Sequence, residues 1–116
     1  MTKRPLAYIT AAWSGNKYKN VKLAAEYCRE VYEAGFSPIC PMLHLSLFLN
    51  NNIPEEHKCG ADISRDFLRR AHVLVVCGDC VDDSVKNDIA VAERQHIMAT
   101  TLDGIILVKE HGQSKN

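Results

Sequence analysis

The run Val73–Cys77, V-L-V-V-C, constrains the fold of this chain more than any other stretch. Consecutive β-branched and apolar residues of this length read as a strand buried on both faces, the kind found in parallel sheets covered by helices. The run breaks at Gly78, passes through a turn carrying Asp79, Asp82 and Asp83, and re-enters helix near Ser84, with Asp88 one turn further on. Ligands of open parallel sheets bind outside the carboxyl ends of the strands. The candidate site therefore lies at this edge, with Gly78, Asp82, Asp83, Ser84 and Asp88 as its first members.

The rest of the chain alternates in the same way. Residues 5–10 (P-L-A-Y-I-T) read as a first strand and residues 11–20 (A-A-W-S-G-N-K-Y-K-N) as a loop of small and polar residues. A helix is predicted over residues 21–34, stopped by Gly35, and a short strand over residues 37–40, closed by Pro41. Residues 42–52 are apolar and then end at Asn50, Asn51 and Asn52, without a clear periodicity. Pro54, Glu55 and Glu56 start a helix predicted to reach Arg70, since Pro suits the first turn and acids suit the positive end of the dipole. A further helix is expected over residues 84–95. Two last strand candidates, residues 97–102 and 105–108, are split by Asp103-Gly104, a tight-turn signal. The tail over residues 110–116 is polar and expected to fray.

Strands separated by helices of this length imply crossover connections. The fold class is thus α/β: a single three-layer domain with a mostly parallel sheet of four or five strands, in flavodoxin-like order. With 116 residues, the chain has the size of one domain with one modest core. Its fourteen basic and fourteen acidic side chains cancel, leaving no net field to steer nucleic acid or a membrane surface. The odd number of cysteines, five, mostly within apolar runs, fits reduced core thiols, and no signal-peptide pattern or membrane-length apolar run is present. A cytoplasmic location is expected. Cys77-Gly-Asp-Cys80 has the spacing of a redox or zinc pair, but it ends a strand where redox pairs open a helix, and no second pair completes a metal site. No metal and no cofactor are implied.

Four pieces then stand in a telling order and spacing: Y-I-T-A-A-W-S-G-N from Tyr8, P-I-C-P-M-L-H ending at His44, F-L-N-N-N-I-P-E-E from Phe48, and S-V-K-N-D-I-A-V-A from Ser84. Together they resemble the nucleoside 2-deoxyribosyltransferase-like superfamily, in particular its small bacterial and phage branch. The resemblance implies a flavodoxin-like fold that assembles as a homo-oligomer, a dimer or larger, and acts on a small-molecule nucleoside or nucleotide. In members with known chemistry, a Glu early in the helix after the third strand attacks the anomeric carbon; it falls on Asp88. The acid or Ser six residues earlier, touching base or phosphate, falls on Asp82. An aromatic of the first strand that orients the nucleophile falls on Tyr8. The loop lining the sugar and any 5′-phosphate falls on residues 11–16, hence Ala12, Trp13, Ser14, Gly15 and Asn16.

The chemistry has its own logic. Glycosidic cleavage builds positive charge on the sugar, so a carboxylate beneath the anomeric carbon stabilises that charge and can bond to it. A second acid, Asp82 or Asp83, would relay a proton to the departing base, and backbone N–H groups at the start of the Ser84 helix would hold a phosphate. Trp13 either stacks on a base or covers the sheet edge, and His44 is either a pocket residue or a hydrogen-bonded structural one. Asp62 and Asp66 share a helix face; they reach the site or pair with Arg65, Arg69 and Arg70 on the surface. Asp88 is one methylene shorter than the Glu it replaces, and Ser84 and Lys86 stand where small residues, commonly Gly, are usual. Two readings follow: cleavage or transfer at an N-glycosidic bond, or a non-catalytic module that binds a nucleotide in the same cleft. The apolar stretch over residues 42–49 is a candidate self-association surface.

Overall fold

Every strand pair among the described residues is parallel, in the order β2-β1-β3-β4. A computed structural model describes residues 4–106. The elements are β1 (Leu6–Ala11), α1 (Lys17–Glu33), β2 (Ser37–Ile39), α2 (Pro41–Leu45), α3 (Pro54–Arg70), β3 (Val73–Cys77), α4 (Asp83–Arg94) and β4 (Met98–Thr101). Residues 102–106 are again helical. This is the expected three-layer α/β architecture in flavodoxin-like order.

The alternation of β1 sorts its side chains between two cores. Ala7, Ile9 and Ala11 pack with Ala24 and Val31 of α1, with Val73, Val75 and Cys77 of β3, and with Ile105. Tyr8 faces the other way, into a cluster with Leu68, Leu74, Val91 and Ala92 under α3 and α4. The chain turns from β2 on one side of β1 to β3 on the other. The C-terminal ends of β1 and β3 therefore flank the point where strand order reverses, the usual place for a ligand crevice.

Local chemistry explains the boundaries. Helix α1 starts one turn before the predicted residue because Asn16 caps it, its side chain accepting from the Lys19 N–H at 3.1 Å. It ends as predicted at Gly35, whose φ of 97° suits glycine, with the Phe36 N–H donating back to the Val31 carbonyl. Helix α3 carries the Pro54, Glu55 and Glu56 start and finishes on Arg69 and Arg70. Asp82 caps α4, so that helix also begins before Ser84.

The end of the chain differs from expectation. Asp103-Gly104 is not a hairpin turn: it lies within helix, entered where the Thr101 hydroxyl accepts from the Gly104 N–H at 3.0 Å. Ile105 packs under α1 as a helical residue, not a strand residue. A two-residue hairpin would have made an antiparallel pair, which a sheet built on crossovers does not supply here. Residues 107–108 of that candidate strand and the tail over 110–116 lie outside the described residues.

Two substitutions test this frame. Leu74 is fully buried at the centre of the sheet, and Leu74→Ala is expected to cost ~2–5 kcal/mol in urea unfolding. Gly78 has φ 83°, and a Cβ there would stand 3.2 Å from the Tyr27 hydroxyl, so Gly78→Ala should cost about 1–3 kcal/mol.

Candidate functional site

The edge at which β1 and β3 end opens into a cleft of about 450 Å³, within the range of small-molecule sites. Its floor comes from β1 through Tyr8 and Thr10, one wall from α4 through Ser84, Asn87 and Asp88, and the facing wall from α3 through His57, Ser64 and Arg65. Met42 and Leu45 of α2, with Trp13 after β1, supply apolar surface.

The chemistry concentrates on one contact. The Thr10 hydroxyl donates to Asp88 Oδ2 at 2.7 Å, across 78 positions of chain. Thr10 is buried and Asp88 half-buried. Burial pushes the Asp88 carboxyl above its ordinary value; the Thr10 hydrogen bond and the positive charge of Arg65 pull it back, and Asp82 adds a small upward push. The carboxylate is held in a partly dry place by one hydroxyl and one distant cation.

Tyr8 lies two residues before Thr10 on the same face of β1. Burial first, and then the charge of Asp88, push its phenol well above the usual range, with Ser64 acting in the opposite sense. The phenol therefore stays neutral and protonated beside the carboxylate. No hydrogen bond joins Tyr8 to Asp88 among the described contacts; Thr10 makes that contact. Thr10 escaped the sequence reading because a Thr inside an apolar strand looks like an ordinary strand former.

Of the expected site residues, Tyr8, Trp13, Ser84 and Asp88 line the cleft. Trp13 also packs against Tyr27, with ring centroids 6.3 Å apart, so it covers the sheet edge and faces the cleft at once. The others are placed differently. Ser14 and Asn16 serve the β1–α1 loop: buried Asn20 accepts from the Ser14 N–H and hydroxyl and donates to the Ser14 carbonyl, while Asn16 caps α1. Ala12 and Gly15 belong to that same loop and do not line the cleft.

Asp82 spends its carboxylate on the α4 cap, accepting from the Val85 N–H at 3.0 Å, and Asp83 is an exposed first-turn acid. Both lie outside the cleft lining. Gly78 turns the chain on the α1 side, against Tyr27. His44 sits between two aromatic rings, edge-on to Phe67 at 5.7 Å and tilted against Phe48 at 6.1 Å, and is not among the residues lining the cleft. Asp62 pairs with Arg65 at 3.7 Å and Asp66 with Arg69 at 3.1 Å on an exposed helix face. Cys80 is exposed, whereas burial pushes the Cys77 thiol up to about 12, so the pair has no reactive thiolate on its buried side. No cluster able to hold a metal occurs among the described residues.

The residues missed by sequence reading are Thr10 and the α3 stripe. His57, Ser64 and Arg65 recur at helical spacing, a signal present in the sequence but indistinguishable there from a solvated face.

A carboxyl whose folded value is raised holds a proton that the unfolded chain has released. Stability then falls as pH rises from the ordinary carboxylate range through the folded value. Asp88→Asn is therefore expected to melt higher than wild type near pH ~7, with the difference shrinking toward pH ~4. Thr10→Val, which removes the donor, should destabilise by ~1–3 kcal/mol at neutral pH, and Thr10→Ser should recover most of it. Thermal melts across that pH range check both.

Among the described residues, no helix is long and apolar enough to cross a membrane. No curated protein matches the chain. The family described as Domain of unknown function (DUF7768) matches residues 5–102, from the residue before β1 to the residue after β4, and the chain belongs to that family.

Proposed function

We propose that the cleft binds a nucleoside or 5′-nucleotide and cleaves or transfers at its N-glycosidic bond, with Asp88 as the nucleophile. The observation that carries this reading is the Thr10–Asp88 contact: a half-buried carboxylate on the α4 wall of a ligand-sized cleft, fixed by one 2.7 Å hydrogen bond to its floor. The ordered motifs around Tyr8, His44, Phe48 and Ser84, which resemble the nucleoside 2-deoxyribosyltransferase-like superfamily, support the same reading.

In the proposed step, an Asp88 oxygen bonds to the anomeric carbon as the carbon–nitrogen bond breaks, and the bonding pair leaves with the base nitrogen. The base is protonated as it departs. Asp82 is engaged at the α4 cap, so this role passes to His57, the imidazole of the cleft, or to water. Water or a second base then attacks the same carbon and frees Asp88. Thr10 holds the carboxylate so that one oxygen faces the sugar, and Tyr8, kept protonated, adds no competing charge.

A second reading keeps the ligand and drops the reaction: a nucleotide-binding module with the same cleft. The short Asp88 side chain favours it, because a carboxylate displaced by about a bond length can lose on the order of a hundredfold in rate. Incubation with deoxynucleosides and their 5′-monophosphates, scored for free base, separates the two. Release by wild type that falls by about 10³-fold or more in Asp88→Ala is the expected result. Binding without release would leave the module.

Self-association belongs to the same proposal. Leu47, Phe48 and Ile53 are 79%, 62% and 44% exposed, an apolar group beside α2. The cancelling charges, with no membrane-spanning helix among the described residues, fit the proposed soluble, cytoplasmic homo-oligomer with a small-molecule partner. Phe48→Asp is expected to shift the sedimentation mass of a dimer or larger assembly to the monomer.

A further inference from the structure

We infer that Arg65 is the anion subsite of this cleft, and that the ligand accordingly carries a phosphate, as a nucleoside 5′-monophosphate does. The inference rests on the nucleoside-type ligand proposed above and adds where its charge is held.

Charge in the cleft is divided between two walls. Asp88 on α4 is the carboxylate among the described lining residues, and Arg65 on α3 the guanidinium. The two do not close into an ion pair; Arg65 instead meets Asp62 at 3.7 Å on the outer surface, a loose contact with both side chains about half exposed. Such a surface pair contributes little and yields readily to a stronger partner. A guanidinium presents five N–H donors in a fork that matches phosphate oxygens two at a time. One long contact to Asp62 leaves most of that fork available at the cleft wall.

The alternative place for a phosphate is the start of α4, and the residues there disfavour it. Asp82 already accepts the Val85 N–H, and Asp83 adds a second negative charge in the same turn. An incoming phosphate would displace one anion and meet the other. Across the cleft the surroundings are the reverse. His57 and Ser64 lie on the same α3 stripe as Arg65 and add hydrogen-bonding groups to it. Gly60 lies between them, and a Cβ there would stand 3.3 Å from Leu49 Cδ1, so the glycine lets α3 lie close to the segment after α2. A monophosphate set against Arg65 leaves its sugar to reach toward Asp88, with the phosphate kept away from that carboxylate.

Titration calorimetry on the full chain tests this, using each deoxynucleoside, its 5′-monophosphate and inorganic phosphate alone, at low and moderate salt. Wild type is expected to bind at least one monophosphate roughly tenfold or more tighter than the matching nucleoside, with the preference shrinking as salt rises. Arg65→Gln should collapse that ratio toward one, Arg65→Lys should restore part of it, and Lys58→Gln, an exposed α3 cation outside the cleft lining, should leave it unchanged. Melting curves of each variant establish that it is folded. Equal affinity for nucleoside and monophosphate in wild type, or a ratio untouched by Arg65→Gln, overturns the subsite while leaving the nucleoside reading standing. Binding of none of these compounds overturns both.

Discussion

The pairing of β1 with β3 is the constraint on which the site depends. Parallel register places Thr10 beside Val76 and Ala11 beside Cys77, so both strands end at the same level. The crossover from β3 then brings α4 back over that edge, and Asp88 arrives within 2.7 Å of the Thr10 hydroxyl. Neither residue has any local reason to meet the other. A one-residue slip of β1 would turn Thr10 into the α1-side core and leave Asp88 without its donor, because strand side chains alternate between faces.

The electrostatics of the cleft follow from that meeting. A carboxylate half-removed from water is unfavourable unless something compensates it, and here one hydroxyl and the field of Arg65 share the task. Tyr8 stays neutral in the same surroundings. A carboxyl group with few partners remains available to a ligand, whereas one locked into a close ion pair does not. The same logic separates Asp88 from Asp82, whose oxygen is taken by the α4 backbone, and from Asp66, which is paired on the surface.

Much of the fold was legible in the residues themselves. The buried run at Val73–Cys77, the glycine stop at Gly35 and the Pro54 start all act through local chemistry, and each appears where pattern alone puts it. The misread end at Asp103-Gly104 shows the limit: a turn dipeptide is decided by what the sheet can pair with, which a short window does not contain. For the site, Asp88, Tyr8, Trp13 and Ser84 were readable from spacing and resemblance, and all four line the cleft. Thr10 and Arg65 were not, since each takes its meaning from a residue distant in sequence or from the wall it faces. Ser14, Asn16 and Asp82 are engaged as loop anchor and caps, and sequence alone does not separate that use from ligand binding because both draw on the same side chains.

The most direct measurement is a crystal structure of the protein soaked with a deoxynucleoside 5′-monophosphate, using Asp88→Asn to prevent turnover. A ligand in the cleft with its anomeric carbon within about 3.5 Å of the residue-88 side-chain oxygen, the near-attack distance, is the predicted result. Ligand bound elsewhere, or with its sugar turned away from residue 88, would contradict the assignment of Asp88 as the reacting group.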